Sequence, residues 1–194
     1  MKTFAKIVRG VTVPPVMVSL FLLFLYFFRD DVLTNVPDLL FSLLFLAVLP
    51  VLAYPLQSII PAFRPGGQKM KRKLAFILSL VGYTAALAVS LLRNAVPNLA
   101  YIDAVYLSSV VILTLINLLT PWHASGHACS IAGPVLLICL YVGWYAIPIG
   151  AVLYAASFWA AVYMKRHTVR EFLLGTLSAL MAAAICYIVI RPIF

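Results

Sequence analysis

The chain contains three histidines, and all of them lie in polar stretches suited to phosphoryl chemistry. The first stretch is Trp122-His123-Ala124-Ser125-Gly126-His127-Ala128, just before an apolar run. A Ser-Gly pair opening a helix presents free backbone N–H groups and the positive end of the helix dipole, a setting that suits a phosphate. His127 titrates near neutrality when unperturbed, so it can hand a proton to a departing group. Ser125 can equally be an ordinary N-cap. The second stretch is Lys165-Arg166-His167-Thr168-Val169-Arg170-Glu171. His167 and Glu171 are four apart and share a helix face. A carboxylate there fixes the imidazole tautomer and raises its basicity, leaving the other nitrogen to attack an electrophile. Thr168-x-x-Glu171 before an apolar run is also a capping box, and the two roles are compatible. The third stretch, Arg64-Pro-Gly-Gly-Gln-Lys69-Met-Lys71-Arg72-Lys73, reads as a phosphate clamp or as a basic anchor that sets membrane topology.

What must position these residues is read from where the charges are absent. The 194 residues are 65% hydrophobic and 10% charged, with a mean hydropathy of +1.11. A soluble domain carries about 25% charged residues. The 19 charged residues fall in clusters at Lys2–Arg9, Arg29–Asp38, Arg64–Lys73, Arg93–Asp103, Lys165–Glu171 and Arg191. A charge at the bilayer centre costs at least ~2.5–3.5 kcal/mol on insertion scales. The intervening runs avoid that cost and are long enough to cross roughly 30 Å of hydrocarbon as helix. They predict a single all-α integral membrane domain over residues 1–194, a polytopic bundle of about six to seven transmembrane helices. The predicted apolar segments are 11–28, 37–62, 74–92, 102–120, 128–145, 148–164 and 172–190. The basic start and apolar run of residues 1–28 resemble a signal peptide, but Tyr26-Phe27-Phe28-Arg29 is too bulky for a cleavage site, so a retained helix is expected.

With seven crossings, the N-terminus and the loops at 64–73, 121–127 and 165–171 share one face. Lys2, Lys6, Arg9, Arg64, Lys69, Lys71, Arg72, Lys73, Lys165, Arg166 and Arg170 lie there, against Arg29, Arg93 and Arg191 on the other. The positive-inside rule makes the first face cytoplasmic. The net charge of +9 therefore speaks of topology and lipid headgroups, and nucleic acid is a poor partner. Cys129, Cys139 and Cys186 make neither a disulfide framework nor a metal-ligand spacing. No metal or cofactor is expected.

Together the three stretches resemble the type 2 phosphatidic acid phosphatase superfamily, which includes the vanadium haloperoxidases. Its pattern is Lys-x6-Arg-Pro, then Pro-Ser-Gly-His, then Ser-Arg-x5-His-x3-Asp. Here Gln57-x6-Arg64-Pro65, Ala124-Ser125-Gly126-His127 and Ala161-x5-His167-x3-Glu171 resemble the three motifs, over a core of about residues 37–190. Gln57 stands where the family has lysine, Ala161 where it has a phosphate-binding arginine, and Ala160 where it has serine. Such lost contacts to developing charge typically cost ~10²–10³ in rate each. His123, Lys71 and Arg72 are the residues available to replace them.

The resemblance implies metal-independent hydrolysis of a phosphomonoester or diphosphate on a phospholipid or prenyl lipid. His167 would attack phosphorus, Glu171 would orient it, and His127 would protonate the departing alcohol. The Ser125 and Gly126 amides, Arg64, Gln57 and His123 would hold the phosphoryl oxygens. The expected location is the plasma membrane of a prokaryotic cell. The alternative is a non-catalytic lipid-binding, transport or regulatory protein that keeps the fold.

Overall fold

The computed structural model describes residues 1–189; Arg191, counted above with the far face, lies outside them. Among the described residues the chain is helical with no strand. The helices are α1 (Lys2–Val11), α2 (Pro14–Phe28), α3 (Val36–Val51), α4 (Ala53–Ile59), α5 (Gly67–Leu92), α6 (Pro97–Leu119), α7 (Gly126–Val142), α8 (Ile147–Tyr163) and α9 (Val169–Val189).

Proline explains most of the breaks. Val13 is extended before Pro14, because a pre-proline residue is pushed out of the helical region, and α1 and α2 meet at 52°. Pro50 has no N–H and its ring crowds the carbonyl four residues back. The preceding Leu43–Val48 stretch relaxes into a π-helical turn. α3 and α4 are bent by 41° just ahead of Pro55. Four helices (α6, α9, and α5 and α8 each with the turn preceding it) are long and apolar enough to span a membrane, or up to six spans if each bent pair is one. α7 is apolar but only 17 residues long. The chain is thus an all-helical bundle with four to six candidate spans.

Two boundaries differ from the sequence reading in ways that matter. Lys69, Lys71, Arg72 and Lys73 are not loop residues but form the first turns of α5, where nothing after Gly67 opposes a helix. α6 begins at Pro97, so Asp103 lies two turns inside it, fully buried and accepting a hydrogen bond from Ser90 Oγ at 2.5 Å.

α6 is the central helix, with Leu99–Tyr106 buried throughout. α5 and α9 flank it, and α9 also packs along α7. Small residues make helix contacts close: Gly175, Ala179, Ala182 and Ala183 are buried along α9, with Gly175 against the start of α7, and Gly82 of α5 lies against the Phe45 carbonyl of α3. The exterior is apolar, with Leu92, Leu118, Leu119 and Ile188 each exposed by more than 70%. Several polar side chains lie inside, among them Thr12, Ser157 and Ser178. Such an inverted pattern suits a lipid environment.

The two ends of the bundle differ in charge. At one end Arg29 forms a two-pronged bond with Asp31 (2.7 Å each) and Arg93 reaches Asp38 at 3.1 Å. The other end gathers the start of α5, the start of α7 and the α8–α9 turn. The only acidic side chain in those segments is Glu171.

Candidate active site

His127 is the second residue of α7. The loop before it is fixed by Asn117 of α6, whose Oδ1 accepts the Ala124 N–H at 2.7 Å while its Nδ2 donates to the Ala124 carbonyl at 3.4 Å. Ser125 Oγ accepts the Ala128 N–H at 3.2 Å, so Ser125 is the N-cap. The Ser125 N–H donates to the Glu171 carbonyl at 2.9 Å, which ties the start of α7 to the first turn of α9. One helical turn further on, Gly175 faces this junction, and a Cβ there would collide with the Ser125 carbonyl. Only glycine lets the two backbones come this close.

His167 sits on the tight turn between α8 and α9, which uses a left-handed Lys165 and sends the Arg166 and His167 N–H groups to the Ala161 carbonyl at 3.1 and 3.5 Å. Thr168 and Glu171 form the capping box: Glu171 Oε2 accepts the Thr168 N–H at 3.0 Å and Thr168 Oγ1 accepts the Glu171 N–H at 3.2 Å. The same Oε2 lies 3.4 Å from His167 Nδ1. The cap and the histidine contact therefore coexist on one carboxylate, and the unengaged nitrogen is Nε2. Burial pulls the His167 pKa below its ordinary 6.5; Glu171 raises it, while Arg72 and Arg9 lower it further. The basicity that Glu171 adds is thus outweighed, and the imidazole is neutral at pH 7, the form a nucleophile needs.

His127 and His167 lie within electrostatic reach of each other. His127 Nε2 is 3.4 Å from Ser157 Oγ on α8, which donates to Thr12 Oγ1 at 3.5 Å, which donates to the Val8 carbonyl at 2.9 Å. If each hydroxyl passes its proton down this chain, Nε2 of His127 is a donor and Nδ1 is left as the acceptor. The Thr12–Ser157 relay has no counterpart in the sequence reading; an apolar helix with one serine shows nothing locally that marks it.

The residues expected to bind phosphate are distributed differently. Gln57 is buried and donates to the Phe63 and Arg64 carbonyls at 3.2 and 3.3 Å. Arg64 Nε donates to the Ser58 carbonyl at 2.8 Å, and Nη2 reaches the Ile59 carbonyl at 3.4 Å. The pair staples the end of α4 to the Pro61–Gly66 turn, and neither forms a bond to His127 or His167. The Ser125 amide is spent on Glu171; of the assigned amides, only that of Gly126 stays outside the capping bonds. His123 is exposed and lines a shallow hollow with Trp122, Thr168, Arg170 and Glu171, where the Arg170 guanidinium stacks 3.9 Å from the Trp122 ring centre. Ala161 is buried against Ala128 and Phe172, so its position is filled rather than vacant.

Arg9 was missed. It projects from α1 into the range of His127, His167, Arg72 and Arg166. In the sequence it is indistinguishable from a basic anchor; its place on one α1 face with Ala5 and Thr12 was the available signal. Set against known proteins, the chain matches no family model, no curated sequence and no solved structure, so the site's own geometry carries the functional argument.

Proposed function

We propose that the chain is a membrane lipid phosphatase working through a phosphohistidine. The observation that carries this reading is the junction of His127 and His167. Two segments 40 residues apart are bound backbone to backbone, and a carboxylate engages Nδ1 of the second histidine. In the first step His167 Nε2 bonds to phosphorus as the P–O ester bond breaks, and the leaving oxygen takes a proton from His127. Burial, with Arg9 and His167, lowers the His127 pKa to about 4, so it carries that proton only while the negative charge of the bound phosphate lies beside it. In the second step His127 takes a proton from water as the water oxygen attacks phosphorus, the P–N bond breaks, His167 is released, and inorganic phosphate leaves. A substrate with a phosphate headgroup and an apolar tail suits a site at the end of an apolar bundle, where the tail stays in hydrocarbon. The charge asymmetry favours a cytoplasmic site in a cell membrane.

The test is phosphate release by detergent-purified protein, with chelator and no added metal, over phosphomonoester and diphosphate lipids. Release that vanishes in His167→Ala and His127→Ala supports the reading; equal rates in all three proteins would end it. A second reading, a non-catalytic lipid-binding or transport protein, is favoured by the structural roles of Gln57 and Arg64 and by the filled position at Ala161. Absence of release from every lipid, with lipid binding retained, would select it.

A further inference from the structure

We infer that Arg9, Arg72 and Arg166 form one anion site over the two histidines, with α1 supplying a cation that the Gln57 and Ala161 departures take away. The inference rests on the phosphatase reading for its substrate class, a phosphate dianion, and on separate observations for its residues.

α1 lies across α8 and is held there. Ala5 is fully buried, Phe4 and Trp159 rings meet at 5.9 Å, and Thr12 joins the hydrogen-bond chain that ends on His127. Arg9 is one turn before Thr12 on the same face and is half-buried, whereas Lys2 and Lys6 are exposed. A topology anchor keeps its charge in headgroup water. Arg9 instead sits one turn before the hydroxyl chain that ends on His127, and Arg72, Arg166, His127 and His167 lie within its electrostatic reach. Arg72 is in the second turn of α5, one turn before Phe76, whose ring tip faces Gly126 beside His127. Arg166 directly precedes His167 on the α8–α9 turn, its N–H on the Ala161 carbonyl. Among the described residues none of the three guanidiniums has a carboxylate within ion-pair distance. The one nearby acid, Glu171, is engaged by His167 and the Thr168 N–H. Three like charges drawn from three elements, without a counter-ion, are stable together when an anion joins them. Guanidinium forks match phosphate oxygens two at a time.

The probe is inorganic phosphate, read as the rise in melting temperature of the full chain in dodecyl maltoside against chloride at equal ionic strength. Wild type is expected to be stabilised. Arg9→Gln and Arg72→Gln are each expected to weaken phosphate by about tenfold or more, Arg9→Lys by much less, and Lys2→Gln not at all. No stabilisation of wild type, or unchanged phosphate affinity in Arg9→Gln, overturns the inference. The melting temperature without phosphate shows whether Arg9→Gln folds. If it does not, Arg72→Gln, on an exposed turn, decides, and unchanged affinity there overturns the site. Micelles doped with phosphatidic acid or with phosphatidylglycerol assign the source. Competition by the first alone marks a lipid phosphomonoester, and competition by neither marks free phosphate; both support the site. Loss of phosphate binding in Arg9→Gln with no hydrolysis by wild type keeps the anion site and removes the phosphatase reading. Hydrolysis by wild type with an unchanged KM in Arg9→Gln does the reverse.

Discussion

Glu171 does two jobs with one oxygen, and its substitution separates them. Glu171→Gln keeps the length of the side chain and part of the cap but removes the charge that raises the His167 pKa. Neutral imidazole then persists to more acid pH. The acid limb of kcat/KM, which already lies below the ordinary histidine value in wild type, is expected to move further down. The rate should fall by roughly 10² or more because the nucleophile loses its orienting carboxylate. An acid limb that stays put or moves up instead would show that it does not report a His167 held by the Glu171 charge. Ala161→Arg puts the motif arginine back in sequence but not in space. The guanidinium would enter a cluster closed by Ala128 and Phe172, and a loss of at least ~3 kcal/mol is expected rather than a gain in rate. Thermal unfolding in detergent beside an activity assay checks both halves of that statement. The contact of His167 with Glu171 was legible because i, i+4 spacing and a capping box are local rules. Gln57 and Arg64 were not, since their partners are carbonyls exposed by a turn whose shape depends on Pro61 and Pro65 together.

At the scale of elements, the site depends on how closely α7 and α9 approach. Gly175→Ala forces a methyl against the Ser125 carbonyl, which sits in the junction that places His127. The expected cost is about 1–3 kcal/mol in unfolding free energy, with a larger proportional loss of phosphate release than an equally destabilising change far from the site. Gly82→Ala supplies that comparison: its Cβ would meet the Phe45 carbonyl at the π-helical turn of α3, away from either histidine. Equal losses of activity in the two variants at matched stability would mean the α7–α9 junction does not position the site. Helix locations were readable from the charge-free runs, because the cost of a buried charge acts everywhere along a span. The bends at Thr12–Val13 and Leu52 and the early start of α5 were not. Apolar runs hide kinks, and a basic stretch reads as loop until Gly66-Gly67 is seen to end one element and begin another.

Across the whole molecule, one end is neutralised by ion pairs and the other keeps its positive charge, so the bundle is polar along its axis. That asymmetry was visible in the sequence. Which side of the membrane it faces follows only from the preference of basic loops for the cytoplasm. Membrane-impermeant maleimide in intact cells tests the orientation: Asp31→Cys is expected to react directly and Lys69→Cys only after permeabilisation, and the opposite pattern would put the site outside. The most direct measurement of the central claim is acid-labile, base-stable phosphate on the protein, trapped by denaturation during turnover of a radiolabelled lipid phosphate. The account predicts label on wild type, none on His167→Ala, and the labelled peptide containing His167. Turnover without any label on wild type, or label that survives in His167→Ala, would contradict it.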